Sequence, residues 1–160
     1  MSKNLNVILI GIDTLRADHL GCYGYKRPTS PNIDELARRS LLFTQCFSQA
    51  PITAPSFMSI MTSRYPSYHG ITDNCRPSGK EWVRMYVLDP AIPTLAEVLK
   101  RHGYKTAAFT GGGNVYGAMG FDRGFDYCSK GTKWGVNRFL PSDNLAAEEI
   151  FSWLKEVARD

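Results

Sequence analysis

Asn6-Val-Ile-Leu-Ile-Gly-Ile12 is an unbroken apolar run that ends on Asp13. A strand with one wet face alternates apolar and polar residues, whereas a run apolar at every position is the pattern of a strand covered on both faces inside a parallel sheet. Asp13 is then expected at the carboxyl end of that strand, the edge where open α/β sheets collect their functional groups. Further along, Ser30-Pro31 is a helix start, and Ile33, Leu36 and Ala37 carry the helical spacing behind it. Leu41 to Phe47 returns to strand-like composition. Pro55 opens a short helix through Met61, and Arg64-Tyr-Pro-Ser-Tyr-His-Gly70 breaks into a loop. Residues 72–90 lack periodicity and read as a surface excursion. Thr94 and Glu97 form a capping box ahead of Leu95, Val98 and Leu99, Gly103 ends that helix, and Tyr104 to Thr110 reads as a strand running into Gly111-Gly-Gly113. Asn144 to Val157, behind a Ser142 or Asp143 cap, places Leu145, Ile150, Leu154 and Val157 on one helical face. Alternating strands and helices with short links predict a doubly wound, mainly parallel α/β sheet flanked by helices, one domain over residues 1–160. The chain ends at Asp160 directly after a helix with no further strand to enter, so an incomplete domain, self-association or a missing C-terminal part is expected.

Composition narrows the function classes. A chain of 160 residues, 43% hydrophobic and 12% aromatic, holds enough apolar material for a packed core. The formal charge of +4 is spread along the chain without the Lys/Arg clustering of a nucleic-acid binder, and it suits a small anionic substrate. The apolar run at Val7–Ile10 is far too short to span a bilayer and lacks the small-residue cleavage site of a signal peptide, so neither membrane nor export is expected and the location reads as cytoplasmic. Cys22, Cys46, Cys75 and Cys128 are irregularly spaced with no C-x-x-C pair, which favours reduced thiols over zinc binding or disulfides.

Two residues stand where chemistry is expected. A carboxylate at the end of a buried strand needs a cation or several N–H donors to offset its desolvation, so Asp13 is either a metal ligand or the cap of the turn Thr14-Leu-Arg-Ala-Asp18. Thr53 lies just before the helix that Pro55 begins; its hydroxyl is either a plain N-cap or a nucleophile toward phosphorus or sulfur once a cation lowers its pKa.

The segment from Asn6 through Ile-Asp-Thr-Leu-Arg-Ala-Asp-His-Leu-Gly-Cys-Tyr-Gly24 resembles the opening motif of the sulfatase family, within the alkaline phosphatase superfamily. Four later blocks resemble that family in the same order: Pro28-Thr-Ser-Pro-Asn-Ile-Asp34; Thr53-Ala-Pro-Ser-Phe-Met-Ser-Ile-Met-Thr-Ser-Arg-Tyr-Pro-Ser-Tyr-His-Gly70; Thr94-Leu-Ala-Glu-Val-Leu-Lys-Arg-His-Gly-Tyr-Lys-Thr-Ala-Ala108; and Gly120-Phe-Asp-Arg-Gly-Phe-Asp126. The resemblance implies a metal-dependent hydrolase of sulfate or phosphate esters using one or two divalent ions (Ca, Mg, Mn or Zn), with Asp13 and Thr53 meeting at one sheet edge as metal ligands and Thr53 as nucleophile. In the sulfatases a Cys or Ser opening a C/S-x-P-x-R motif becomes formylglycine; here those positions are Thr53 and Phe57, so no formylglycine is expected and direct attack by Thr53 replaces it. The family's Gly-Lys-x-His block reads Gly111-Gly-Gly-Asn114, which removes two cationic groups and leaves Asn114 as a donor to an ester oxygen, or a bare turn. Arg64 is placed either to hold an anionic oxygen or to cap the carbonyls at the helix end. His69 is expected to make a structural hydrogen bond. Cys75-Arg-Pro-Ser-Gly79 mimics the start of a formylglycine motif but lacks its Arg and follows the loop that should come after it. Two competing readings are a degenerate paralogue without catalysis, serving as a binding or interaction module, and a flavodoxin-like nucleotide binder that leaves the Asp13 and Thr53 blocks unexplained.

Overall fold

A computed structural model describes residues 5–78, 81–111, 113–115, 117–129 and 143–158, without the side chains of 76–84 and 143–146. The chain divides into two compact units, 1–47 and 48–160.

In the first unit, α1 (Pro31–Ala37) forms where Ser30-Pro31 predicts it, with proline pre-set at the first helical position. Ser30 stands at the N-cap without capping, because its hydroxyl donates to Asp34 Oδ1 at 3.0 Å and accepts the Gly21 amide. Asp34 Oδ1 also accepts the Cys22 amide at 2.7 Å, so one helical carboxylate holds the turn at Gly21–Tyr23 against α1, while the turn at Ala17–His19 is tied by Thr29 Oγ1 donating to the His19 carbonyl at 2.8 Å. The two predicted strands of this unit are absent: 6–12 and 41–47 have no ladder, and Ile8 (79%), Ile10 (75%) and Leu41 (88%) are exposed. A strand exists through hydrogen bonds to its neighbours, and an apolar sequence without a paired neighbour within its own unit is left as extended chain.

The second unit opens with α2 (Thr53–Thr62), which begins two residues before Pro55. Pro55 is tolerated there because amides of the first turn have no intrahelical partner to lose. Ser63, in the left-handed region at φ 55°, ends the helix. The segment read as a loop contains one further helical turn, α3 (Pro66–His69), started by proline at its first position and stopped by Gly70 at φ 76°. The predicted excursion holds an antiparallel hairpin, β1 (Arg76–Ser78) against β2 (Glu81–Arg84), whose connecting Gly79 lies outside the described residues.

The capping box is present as predicted at the start of α4 (Leu95–Arg101). Thr94 Oγ1 accepts the Glu97 amide at 3.2 Å and Glu97 Oε2 accepts the Thr94 amide at 2.8 Å. The strand expected over Tyr104–Thr110 is reduced to β3 (Ala107–Ala108), paired in parallel with β4 (Tyr127–Cys128). α5 (Asp143–Val157) closes the unit; Ser142 and the Leu145 side chain lie outside the described residues. Its Trp153 meets Phe109 edge to face with centroids 6.0 Å apart, while Leu154, expected on the inner face, is exposed.

Two blocks that looked separate in sequence are locked together here. Arg123 donates to Glu97 and to the carbonyls of Asp89, Pro90 and Ile92, and Thr94 Oγ1 donates to the Arg123 carbonyl at 3.0 Å. Gly124, at φ 87°, passes so close to α4 that a Cβ would strike the backbone of Ala96 and Glu97. Ala54, Met58, Ile71, Cys75, Leu88, Met119 and Phe121 form the buried core of the unit, joining α2 to the segments that follow it. No described helix is long and apolar enough to cross a membrane.

Candidate active site

Thr53 is the first residue of α2, half-buried, with Ile52 rather than Thr53 at the N-cap. The plain N-cap reading of Thr53 therefore fails, because the capping position is one residue earlier. The inward face of α2 is anchored by Ala54 and Met58, both 0% exposed, and by Thr62, whose hydroxyl bonds back to the Met58 carbonyl at 2.7 Å. Spacing of four residues puts Ala54, Met58 and Thr62 on one stripe, and the core they enter fixes the rotation of the helix that carries Thr53. Phe57, at the position of the motif's Arg, packs against that core and offers no cation. Cys75 is itself a core residue, and Cys22, Cys46, Cys75 and Cys128 form no disulfide.

His69 makes the structural bond expected of it. It is 2% exposed, its Nδ1 accepts the Ile71 amide at 3.1 Å, and its Nε2 lies 3.0 Å from the buried Ser59 hydroxyl of α2. Since Nδ1 accepts, the neutral ring carries its hydrogen on Nε2 and donates to Ser59. Burial lowers the His69 pKa, against backbone hydrogen bonding at Pro55 and at His69 itself, and no ionised side chain contributes to the shift. A histidine held neutral in the fold binds its proton more readily when unfolded, so the contribution is full above the unfolded value of about 6.5 and is lost as pH falls through it toward the folded value. Thermal unfolding across pH 5 to 7.5 is expected to show wild-type stability dropping on the acid side while His69→Gln, which keeps a donor toward Ser59 without titrating, varies less. Parallel profiles for the two proteins would remove His69 as the cause.

Arg64 is exposed, with its guanidinium 5.1 Å from the centre of the Tyr68 ring rather than at the carbonyls of α2. A shallow depression beside it is lined by Gln49, Ser59, Ser63, Arg64 and Tyr65. Asn114 is half-buried in the turn after Gly113, which adopts φ 71°; Gly112 lies outside the described residues. Thr110 Oγ1 donates to the Val115 carbonyl at 3.3 Å and Thr110 N–H donates to Ser129, which closes this turn on β4.

Asp13 belongs to the first unit and is exposed, followed by Thr14 at φ 59°, whose hydroxyl donates to the Asp13 carbonyl at 2.7 Å. Its neighbour Asp18 is held below the usual carboxylate range by hydrogen bonds from Arg16 and His19. Among the described residues no three His, Cys, Asp or Glu side chains come together as a metal cage. One carboxylate and one hydroxyl fall short of the six or so oxygen ligands of a hard divalent ion, so these residues do not by themselves fit a complete site.

Asn74 was missed. Its Oδ1 accepts the Ala54 amide at 2.9 Å, 20 positions away, at the turn that carries Thr53. No local pattern announces such a partner, because capping rules read neighbours in sequence.

The family model for sulfatases matches residues 5–159. The chain belongs to the sulfatase family, and the fold is the α/β type of that family. It is 33% identical over 147 residues to mouse steryl-sulfatase, covering 88% of this chain and 22% of the relative. It is 55% identical over 102 residues to human iduronate 2-sulfatase, covering 64% and 17%. A solved sulfatase structure from Bacteroides thetaiotaomicron superposes with a TM-score of 0.57 at 25% identity, covering 71% of this chain and 22% of that one. The chain thus spans about a fifth of the length of these relatives. Membership accounts for the Asp13 and Thr53 blocks together, which a flavodoxin-like nucleotide binder does not.

Proposed function

We propose that this chain is the nucleophile-bearing part of a sulfatase-like hydrolase that cleaves a small sulfate or phosphate ester through Thr53. The observation that carries the reading is the position of Thr53: first residue of a core-anchored helix, in the block where the family places its modified nucleophile. The names of the relatives, steryl-sulfatase and iduronate 2-sulfatase, support ester cleavage as the class of reaction.

In the first step Thr53 Oγ1 forms a bond to sulfur or phosphorus as the bond to the leaving oxygen breaks, and the hydroxyl proton departs with the alcohol. Water then attacks the same centre, releases sulfate or phosphate, or a phosphate monoester where the substrate is a diester, and restores the threonine hydroxyl. A threonine hydroxyl is fully protonated near neutral pH, so the first step needs charge-stabilising groups opposite the attacking oxygen. Arg64 and Asn114 are this chain's candidates for binding the ester oxygens. Asp13 and Thr53 are its candidate contributions to a divalent-ion site, whose chemistry is to lower the hydroxyl pKa and offset the charge of the ester. A cytoplasmic location goes with this reading.

The test is to quench the whole encoded polypeptide in acid during turnover of an aryl sulfate and of an aryl phosphodiester, and to sequence the modified peptide by mass spectrometry. A sulfo group, or a phosphoryl group that still carries the remaining ester of the phosphodiester, on Thr53 is the expected result, and the substrate that yields it identifies the ester class. Turnover with the group on another residue would overturn the assignment. Phe57 in place of the motif's Arg and Gly111–Asn114 in place of Lys and His favour the second reading, a non-catalytic paralogue that binds a partner, and absence of turnover with every ester and cation tried would support it.

A further inference from the structure

The amino end of α2 is capped from a distance. Its N-cap residue, Ile52, has no polar side-chain atom and makes no capping bond. A Ser, Thr, Asp or Asn at that position would satisfy an amide of the first turn locally. Here the Ala54 amide donates instead to Asn74 Oδ1 at 2.9 Å. The segment that supplies this cap is fixed on both sides. Ile71 and Cys75 are buried in the core, and the Asn74 amide donates to Asp73 Oδ1 at 2.8 Å. His69, at the start of the same segment, bonds Ser59 five residues further down α2 than Ala54. Residues 69–75 therefore grip α2 at two points, and the amino-terminal one is adjacent to Thr53.

We propose that Asn74 is a positioning residue for Thr53: by holding the Ala54 amide it sets the first turn of α2, and with it the direction of the Thr53 hydroxyl, without touching the reacting atoms. This rests on the reading of Thr53 as nucleophile. An Asn74→Ala change removes the acceptor, whereas Asn74→Asp keeps an oxygen in the same place with a charge that suits a helix amino end.

The experiment measures kcat and KM of the whole encoded polypeptide with an aryl ester, together with hydrogen exchange at the Ala54 amide, for wild type, Asn74→Ala, Asn74→Asp and Thr53→Ala. Displacing a reacting group by about 1 Å costs on the order of 100-fold in rate. Asn74→Ala is accordingly expected to lower kcat about 10- to 100-fold with KM little changed and Ala54 exchange accelerated, and Asn74→Asp to recover most of kcat and of the protection. An unchanged kcat despite accelerated exchange, a fall in kcat that Asp does not rescue, or a rise in KM alone would each overturn the proposal. If Asn74→Ala does not fold, Asn74→Gln, with the same amide carried one methylene further out, takes its place with the same expectation. Full activity in Thr53→Ala would instead remove the nucleophile reading, whereas an inactive Thr53→Ala beside a fully active Asn74→Ala would remove only the positioning role.

Discussion

Substituting Thr53 with alanine in the whole encoded polypeptide is expected to lower ester hydrolysis by on the order of 10⁴-fold or more, since loss of a covalent nucleophile removes the reaction path and not merely a contact. Stability should hardly move. Thr53 is half-buried at the first position of α2, outside the buried core cluster, so its removal is expected to cost far less stability than truncation of a core residue. Equal melting curves beside lost turnover would separate chemistry from folding, and Thr53→Ser, which keeps a hydroxyl, should retain measurable activity. The 160 residues by themselves, with divalent cation supplied, are expected to be inactive, because Asp13 and Thr53 are too few ligands and the family's Lys and His are replaced within Gly111–Asn114. Ordinary turnover by the 160-residue chain would contradict the incomplete site. Full turnover by the whole encoded polypeptide without Thr53 would contradict the nucleophile.

Met58→Ala is expected to destabilise the second unit by about 2–5 kcal/mol, the range for truncating a fully buried Met, Leu or Ile to alanine. Met58 has no exposed surface and sits among Ala54, Ile71, Cys75, Leu88, Met119 and Phe121, so its loss leaves a cavity that neighbours from several segments cannot all move to fill. Ile60→Ala, on the exposed side of the same helix, is the control and should cost under about 1 kcal/mol beyond its small effect on helix propensity. Chemical denaturation midpoints decide between them. Because Met58 packs the inward face of α2, the variant is expected, on the proposed role of Thr53, to lose activity before it unfolds.

The features that depend on a few neighbouring residues were readable from the amino-acid order. Proline at the first position began α1, Thr94 and Glu97 closed their box three residues apart, and the expected hydrogen-bonding role of His69 held. The ordered family blocks carried the α/β class and the sulfatase assignment. Other features depend on what meets what in space. The apolar run at 6–12 has the composition of a buried strand, yet it stays unpaired, because a ladder is made by neighbours and not by apolar composition. The hairpin over 76–84 has no alternating pattern to announce it, and its antiparallel pairing supplies the bonds instead. Thr53 moved from N-cap to first helical residue once Ile52 took the cap position, and the missing cap came from Asn74, 20 residues on. Local chemistry is written in the order of residues, whereas partners brought together across the chain, such as Asn74 with Ala54 and Arg123 with Glu97, are chosen by the packing of the core that carries them both.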